Sequence, residues 1–234
     1  VSEYWVRGKD NATFDFTGGI TSEIPAVTTD VWVDPIEGTD EGNIIGDQQN
    51  PFRSINYAMS MIYPTEDNPI TIHLTAGEFS PSNNNEVFPI NMYSNLNLTG
   101  QGEEVTILDA EGSENNIRRV ITSKNCENNL IRNLKITGGW LEDISFTGTY
   151  LDEAGAGIFC DNSNLRLENL FISNNTTGNS GGGIYSRAST LIIENTTISA
   201  NYAGWNETLG WGGGLCITDG GSVDLNNLII LNND

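Results

Sequence analysis

Histidine occurs once in this chain, at His73, and cysteine three times, so chemistries built on imidazole or thiolate find little to work with. A Ser-His-Asp triad has no support, and mid-strand His73 reads as structural. Cys126, Cys160 and Cys216 show no metal-ligand spacing, and an odd number leaves at least one thiol unpaired. Cys160 and Cys216 stand at different offsets from their Gly-apolar pairs, so on alternating strands they face opposite ways, and all three are expected to be small packing residues. Cationic side chains are also scarce: Lys plus Arg number 10 against 31 Asp plus Glu, a net charge of −21 that argues against nucleic acid and anionic membrane surfaces as partners. No apolar run is long enough for a transmembrane segment, and with no signal peptide and no initiating Met the sequence reads as a mature or excised segment.

What the chain has in quantity is glycine, asparagine and a returning phrase. Gly157-Ile158, Gly183-Ile184 and Gly214-Leu215 each open a short alternating strand. Each leads through an Asn-containing step to a second apolar run: Leu165 to Ser173 aligns with Leu191 to Ser199 and with Val223 to Leu231, and Ile131 to Thr137 is a weaker copy. A unit of roughly 22 to 36 residues made only of short strands, Gly and Asn is how a stacked solenoid reads, since no unit buries its own apolar face alone. Inward Leu, Ile and Val alternate with outward polar residues at period two. Asn133, Asn169, Asn195 and Asn227 recur at one place per unit, suiting a tight left-handed corner whose amides ladder between coils. These features predict an all-β chain folded as a parallel β-helix.

The residues also carry a resemblance. Gly181-Gly182-Gly183-Ile184 and Gly212-Gly213-Gly214-Leu215 alternate with Ile172-Ser173-Asn174-Asn175, Ile198-Ser199-Ala200-Asn201 and Ile230-Leu231-Asn232-Asn233. In this the chain resembles right-handed parallel β-helix proteins of the pectate-lyase-like superfamily, and most of all surface-protein repeats of the polymorphic outer-membrane type. Residues 31–79 resemble the opening segment of secreted bacterial β-helices, through Val31-Trp32-Val33-Asp34, Gly38-Thr39-Asp40, Asn50-Pro51-Phe52-Arg53-Ser54-Ile55 and Ile72-His73-Leu74-Thr75-Ala76-Gly77. The resemblance implies a right-handed helix and an extracellular or cell-surface location, but one solenoid hosts lyases, hydrolases, adhesins and fibres alike.

The chain divides into an extension or linker over residues 1–30, an opening segment over 31–104 and β-helix coils over 105–234. Ile55, Ala58, Met59 and Ile62 fall at helical spacing before Pro64, so Ser54 to Ile62 is expected to form a short helix capping the first coil. No capping repeat follows the last coil, so the solenoid is expected either to continue or to be covered by another subunit, with residues 1–30 supplying that cover in a head-to-tail fibre.

Two surface features are candidates for function. With Ile121, Ile158, Ile184 and Leu215 as equivalent core positions, Lys124, Asp161, Arg187 and, allowing one extra residue, Asp219 form a vertical ladder of alternating charge about 4.8 Å per step. Read blandly, this is a cross-strand ion-pair ladder at an exposed face. Under the resemblance it would be the catalytic face of a polysaccharide lyase or glycoside hydrolase, with Lys124 or Arg187 as base and Asp161 and Asp219 holding calcium, although neighbouring carboxylates raise a Lys or Arg pKa and make a poor base. The acidic cluster from Asp34 to Glu41 lacks calcium-loop spacing. The second candidate is aromatic. Two long loops, Gly138 to Ala154 and Asn201 to Trp211, leave the same corner two coils apart and contain Trp140, Phe146, Tyr150, Tyr202, Trp205 and Trp211, suited to stacking on a polysaccharide or docking a surface protein. The leading expectation is an adhesive or structural surface module binding through these aromatics; the rival is the enzyme.

Overall fold

The computed structural model describes residues 26–42, 45–142, 153–204 and 210–234. In chain order, β1 (Val31–Val33) precedes α1 (Ile55–Met61), followed by β2 (Ile70–Leu74), β3 (Gly77–Phe79), β4 (Ile90–Asn91), β5 (Leu96–Thr99) and β6 (Thr106–Asp109). Then come β7 (Ile121–Lys124), β8 (Asn129–Thr137), β9 (Trp140–Leu141), β10 (Ile158–Asp161), β11 (Asn164–Ser173) and β12 (Thr176–Thr177). The last coils supply β13 (Ile184–Arg187), β14 (Thr190–Ser199), β15 (Tyr202–Ala203), β16 (Leu215–Thr218) and β17 (Ser222–Leu231).

Each strand pairs in parallel with its counterpart in the next coil. The long sheet runs β1-β2-β5-β8-β11-β14-β17, with β3 and β6 joining it through β8. A second sheet runs β4-β7-β10-β13-β16, and a third, narrow one runs β9-β12-β15. The chain is therefore a parallel β-helix, and the equivalent core positions read from sequence are in register: Ile158 faces Ile121 and Ile184, and Ile184 faces Leu215. Successive inward residues, among them Ile131, Leu167, Ile172, Ile193 and Ile198, are fully buried in one continuous core. No helix among the described residues is long and apolar enough to cross a membrane.

Left-handed residues make the corners. One coil turns at Asn162 (φ 48°), Asn169 (φ 51°) and Asn174 (φ 55°), and the next turns at Ala188, Asn195 and Ala200 in the same sense. Asparagine tolerates this backbone better than other non-glycine residues, which is why Asn133, Asn169, Asn195 and Asn227 mark the middle corner of four coils. Their amides do ladder: Asn169 Nδ2 donates to Asn133 Oδ1 at 3.0 Å and Asn227 Nδ2 to Asn195 Oδ1 at 2.9 Å, both at the surface.

A second ladder runs inside. Asn175 and Asn201, the last residues of two apolar-x-x-Asn phrases, are 0 and 1% exposed. Asn201 Oδ1 accepts from the Asn175 N–H at 3.1 Å and from Asn175 Nδ2 at 3.0 Å, while Asn201 Nδ2 donates to Ile172 O, Ser199 O and Asn233 Oδ1 at 2.9 to 3.1 Å. Every polar atom of this buried amide is engaged, which is the condition for keeping it in an apolar core.

The helix read from sequence is present. Ser54 is its N-cap, with Oγ accepting from the Tyr57 N–H at 3.2 Å, and Ile55, Ala58 and Met59 join the core beside β1. Its first turn is also capped from afar: the Glu86 carboxylate, 2% exposed, accepts from the Ile55 and Asn56 N–H groups at 2.7 and 3.1 Å. A carboxylate there satisfies donors that no intrahelical carbonyl reaches.

Candidate functional site

The charge ladder lies on the outward face of the second sheet, with one correction. Asp161 faces Lys124 on one side and Arg187 on the other, but the rung beyond Arg187 is Thr218. Coil β16 contains no extra residue before Thr218, so Asp219 falls one step on, at the exposed left-handed corner (φ 54°) equivalent to Asn125, Asn162 and Ala188.

One pair of the ladder is not an exposed, weak one. The Asp161 side chain is only 5% accessible and is gripped bidentately, Arg187 Nε to Oδ1 at 2.8 Å and Nη2 to Oδ2 at 3.1 Å, with the Arg187 side chain 31% accessible. Lys124 is exposed and forms no ion pair among the described residues. The hydrogen bonds that Arg187 donates to Asp161 raise the Arg187 pKa further above its ordinary value, the opposite of what a base needs. The calcium expectation does not fit these residues: both Asp161 oxygens are committed to Arg187, and among the described residues no three His, Cys, Asp or Glu side chains converge as metal ligands.

The neighbouring rung of this face is apolar. Ala154, Phe159, Tyr185 and Cys216 form a small cluster of their own outside the main core. Phe159 and Tyr185 occupy one rung and stack with centroids 5.8 Å apart and planes 7° off parallel. Arg119 lies 4.6 Å over the Phe159 ring and donates to Gly155 O and Ala154 O at 2.9 and 2.7 Å, pinning the covering segment. Tyr185 also shares a 3.1 Å hydrogen bond with Thr218. Phe159 and Tyr185 escaped notice in the sequence, although the repeat alignment alone puts both on the same outward rung.

All three cysteines are buried and free, Cys126 and Cys160 in the main core and Cys216 in the outer cluster, so Cys160 and Cys216 do face opposite ways. Burial pushes the Cys160 thiol from 9.0 up to about 11. The folded state therefore holds this proton more tightly than the unfolded chain, and the stability it confers is complete below pH 9 and lost as pH rises towards 11. Urea unfolding at pH 8 and 10.5 is expected to show an alkaline loss larger by about 2 kcal/mol in the parent than in Cys160→Ala. Equal losses in the two proteins would contradict this.

The aromatic candidates divide. Tyr150, Trp205 and Phe146 lie outside the described residues. Trp140 and Tyr202 are not in loops, as the sequence led us to expect, but in the two-residue strands β9 and β15, both registered against Thr176 of β12. A run of two residues carries no alternation by which sequence could reveal a strand. Leu141 and Thr177, the next residues along, are buried, so Trp140, Thr176 and Tyr202 form an outward column across three coils. Trp140 is half-buried, Tyr202 is 40% exposed, and Trp211, bridged to Ser180, is 69% exposed. Thr176, the middle step of the column, was not foreseen.

Two other features have local partners. His73 stacks on Trp32 at 4.7 Å, with Nε2 3.2 Å from Asp30 Oδ2. A shallow groove of about 260 Å³ on the long sheet is lined by Leu130, Arg166 and Ile192 among others, but Arg166 is tied to Glu168 and, at 2.7 Å, to Glu194.

A family model described as "Protein of unknown function (DUF1565)" matches residues 36–233. The chain belongs to the DUF1565 family. No curated protein matches this DUF1565 chain. Among solved structures it is similar to the pectin methylesterase PemA from Erwinia chrysanthemi, at 12% identity and a TM-score of 0.53, over 88% of this chain and 56% of that one. It thus spans little more than half of PemA. A pectin methylesterase mutant in complex with a hexasaccharide also matches, at 12% identity and a TM-score of 0.42, over 86% of this chain and 67% of that one. The likeness to PemA is one of fold: the DUF1565 chain is a right-handed parallel β-helix of the pectate-lyase-like type.

Proposed function

We propose that this chain is an extracellular or cell-surface β-helix module that binds polysaccharide through its outward aromatics, Trp140, Tyr202 and Trp211. The observation that carries this reading is the column in the third sheet, where two aromatic side chains stand in register on either side of the small Thr176. Flat rings held on paired strands are preorganised for stacking against sugar faces, because little side-chain freedom is lost on binding. The charged rungs favour no catalytic alternative. Asp161 accepts a bidentate pair from Arg187, and Arg187 is held firmly protonated, so it offers no basic nitrogen for elimination.

Retention on a panel of immobilised neutral and acidic polysaccharides tests this. The parent protein is expected to be retained on at least one, with Trp140→Ala and Tyr202→Ala each weakening retention about tenfold, the loss of one stacked ring. Circular dichroism should leave the fold of both variants unchanged. A parent that ignores the whole panel, or variants retained as well as the parent, would refute the proposal.

A further inference from the structure

We infer that the column Trp140, Thr176, Tyr202 takes a neutral, extended β-1,4-linked glycan lying parallel to the solenoid axis, an inference that rests on the carbohydrate-binding reading above. Three observations carry it: spacing, facing and charge.

Thr176 is hydrogen-bonded in register with Trp140 on one side and Tyr202 on the other, so the aromatics are two strand spacings apart, about 10 Å. An extended β-1,4-linked pyranose chain with two-fold symmetry repeats after two rings at about that same distance. Its successive rings turn opposite ways, so only every second ring shows a given face to a flat surface. A ring stacked on Trp140 would then be followed by one over the short Thr176 side chain, and the next would meet Tyr202 with the same face as the first. An α-1,4-linked glucan coils and does not present alternate rings the same way at that spacing. A chain crossing the coils at right angles would meet one aromatic only.

Charge selects among extended chains. Thr176, Asn179 and Ser180 are uncharged, while Glu142, next to Leu141, is an exposed carboxylate. Arg118, whose backbone pairs with Trp140, directs its guanidinium to the Ala110 carbonyl at 3.1 Å. On a protein of net charge −21, a polyuronate would meet long-range repulsion.

Calorimetric titration of the full chain with cello-oligosaccharides and manno-oligosaccharides of two to six rings, with maltotetraose and tetragalacturonate as comparators, tests the inference. Three rings are the shortest ligand that reaches both aromatics, so affinity should step up at least tenfold from two rings to three in one of the β-linked series and change little beyond four. Maltotetraose and tetragalacturonate should bind at least tenfold more weakly than the better β-linked tetrasaccharide. Tyr202→Ala should abolish the step, and Tyr202→Phe, which keeps the ring, should retain it. Binding without a length step, or equal binding of maltotetraose or tetragalacturonate, overturns the axial β-1,4 occupant while leaving carbohydrate binding standing. Failure of every saccharide to bind overturns both.

Discussion

Replacing Asn201 with leucine is expected to lower the unfolding free energy by about 5 kcal/mol. Leucine nearly matches the shape of asparagine, so the cost comes from polar groups left behind. The Asn175 N–H loses its acceptor and the Ile172 and Ser199 carbonyls lose the Asn201 amide donor, all in an environment without water, while Asn175 Nδ2 keeps the Ile136 and Ser173 carbonyls. Each such orphan costs on the order of 1 to 3 kcal/mol. Asn195→Gly is the matched control. Its amide ladder is at the surface, where water replaces the lost bond, and glycine accepts the φ of 47° freely, so the change should be within about 0.5 kcal/mol. Urea unfolding followed by circular dichroism measures both. Similar costs at the two sites would show that the inner ladder is not the stabilising element it is taken to be.

Arg187→Met should cost about 3 kcal/mol, and Asp161→Asn clearly less, about 1 kcal/mol. The asymmetry follows from burial. Without Arg187, a carboxylate that is 5% accessible loses its ion-pair partner among the described residues; without Asp161, a guanidinium already 31% accessible swings into water. The double variant Asp161→Asn, Arg187→Met should recover at least 1 kcal/mol relative to Arg187→Met alone, because it removes the stranded charge. Equal costs for the two single variants, or additivity in the double, would mean that the pair is no more than a solvated surface bridge.

The asparagine ladders and the buried ion pair differ in how far the sequence reveals them. The coil alignment was readable because positive-φ corners favour asparagine: Asn133, Asn169, Asn195 and Asn227 recur at one such corner, which fixed the register of everything between them. Cys160 and Cys216 were placed on opposite faces by the same parity. The position of Asp219 was misjudged by one step, since a corner residue and a strand residue of like charge are indistinguishable without the hydrogen-bonded register. The burial of Asp161 was beyond reach for a deeper reason. Alternation shows that Asp161 points outward, whereas its burial depends on its neighbours in the fold, Arg187 among them. Trp140 and Tyr202 were expected in two long loops and lie instead in the strands β9 and β15, which hold them more rigidly than loops would.

Recognition by the aromatic column and a purely structural role for the charged rungs are separated by one side-by-side assay. The parent, the Trp140→Ala, Tyr202→Ala double variant and the Asp161→Asn, Arg187→Met double variant would be compared on the same polysaccharides for retention and, with and without calcium, for the ultraviolet absorbance of unsaturated uronates. A flat absorbance trace is expected for all three, with retention lost only in the aromatic variant. Absorbance that grows with the parent and vanishes in the Asp161→Asn, Arg187→Met variant would overturn this division of roles, and would make the charged rungs the working face of an enzyme.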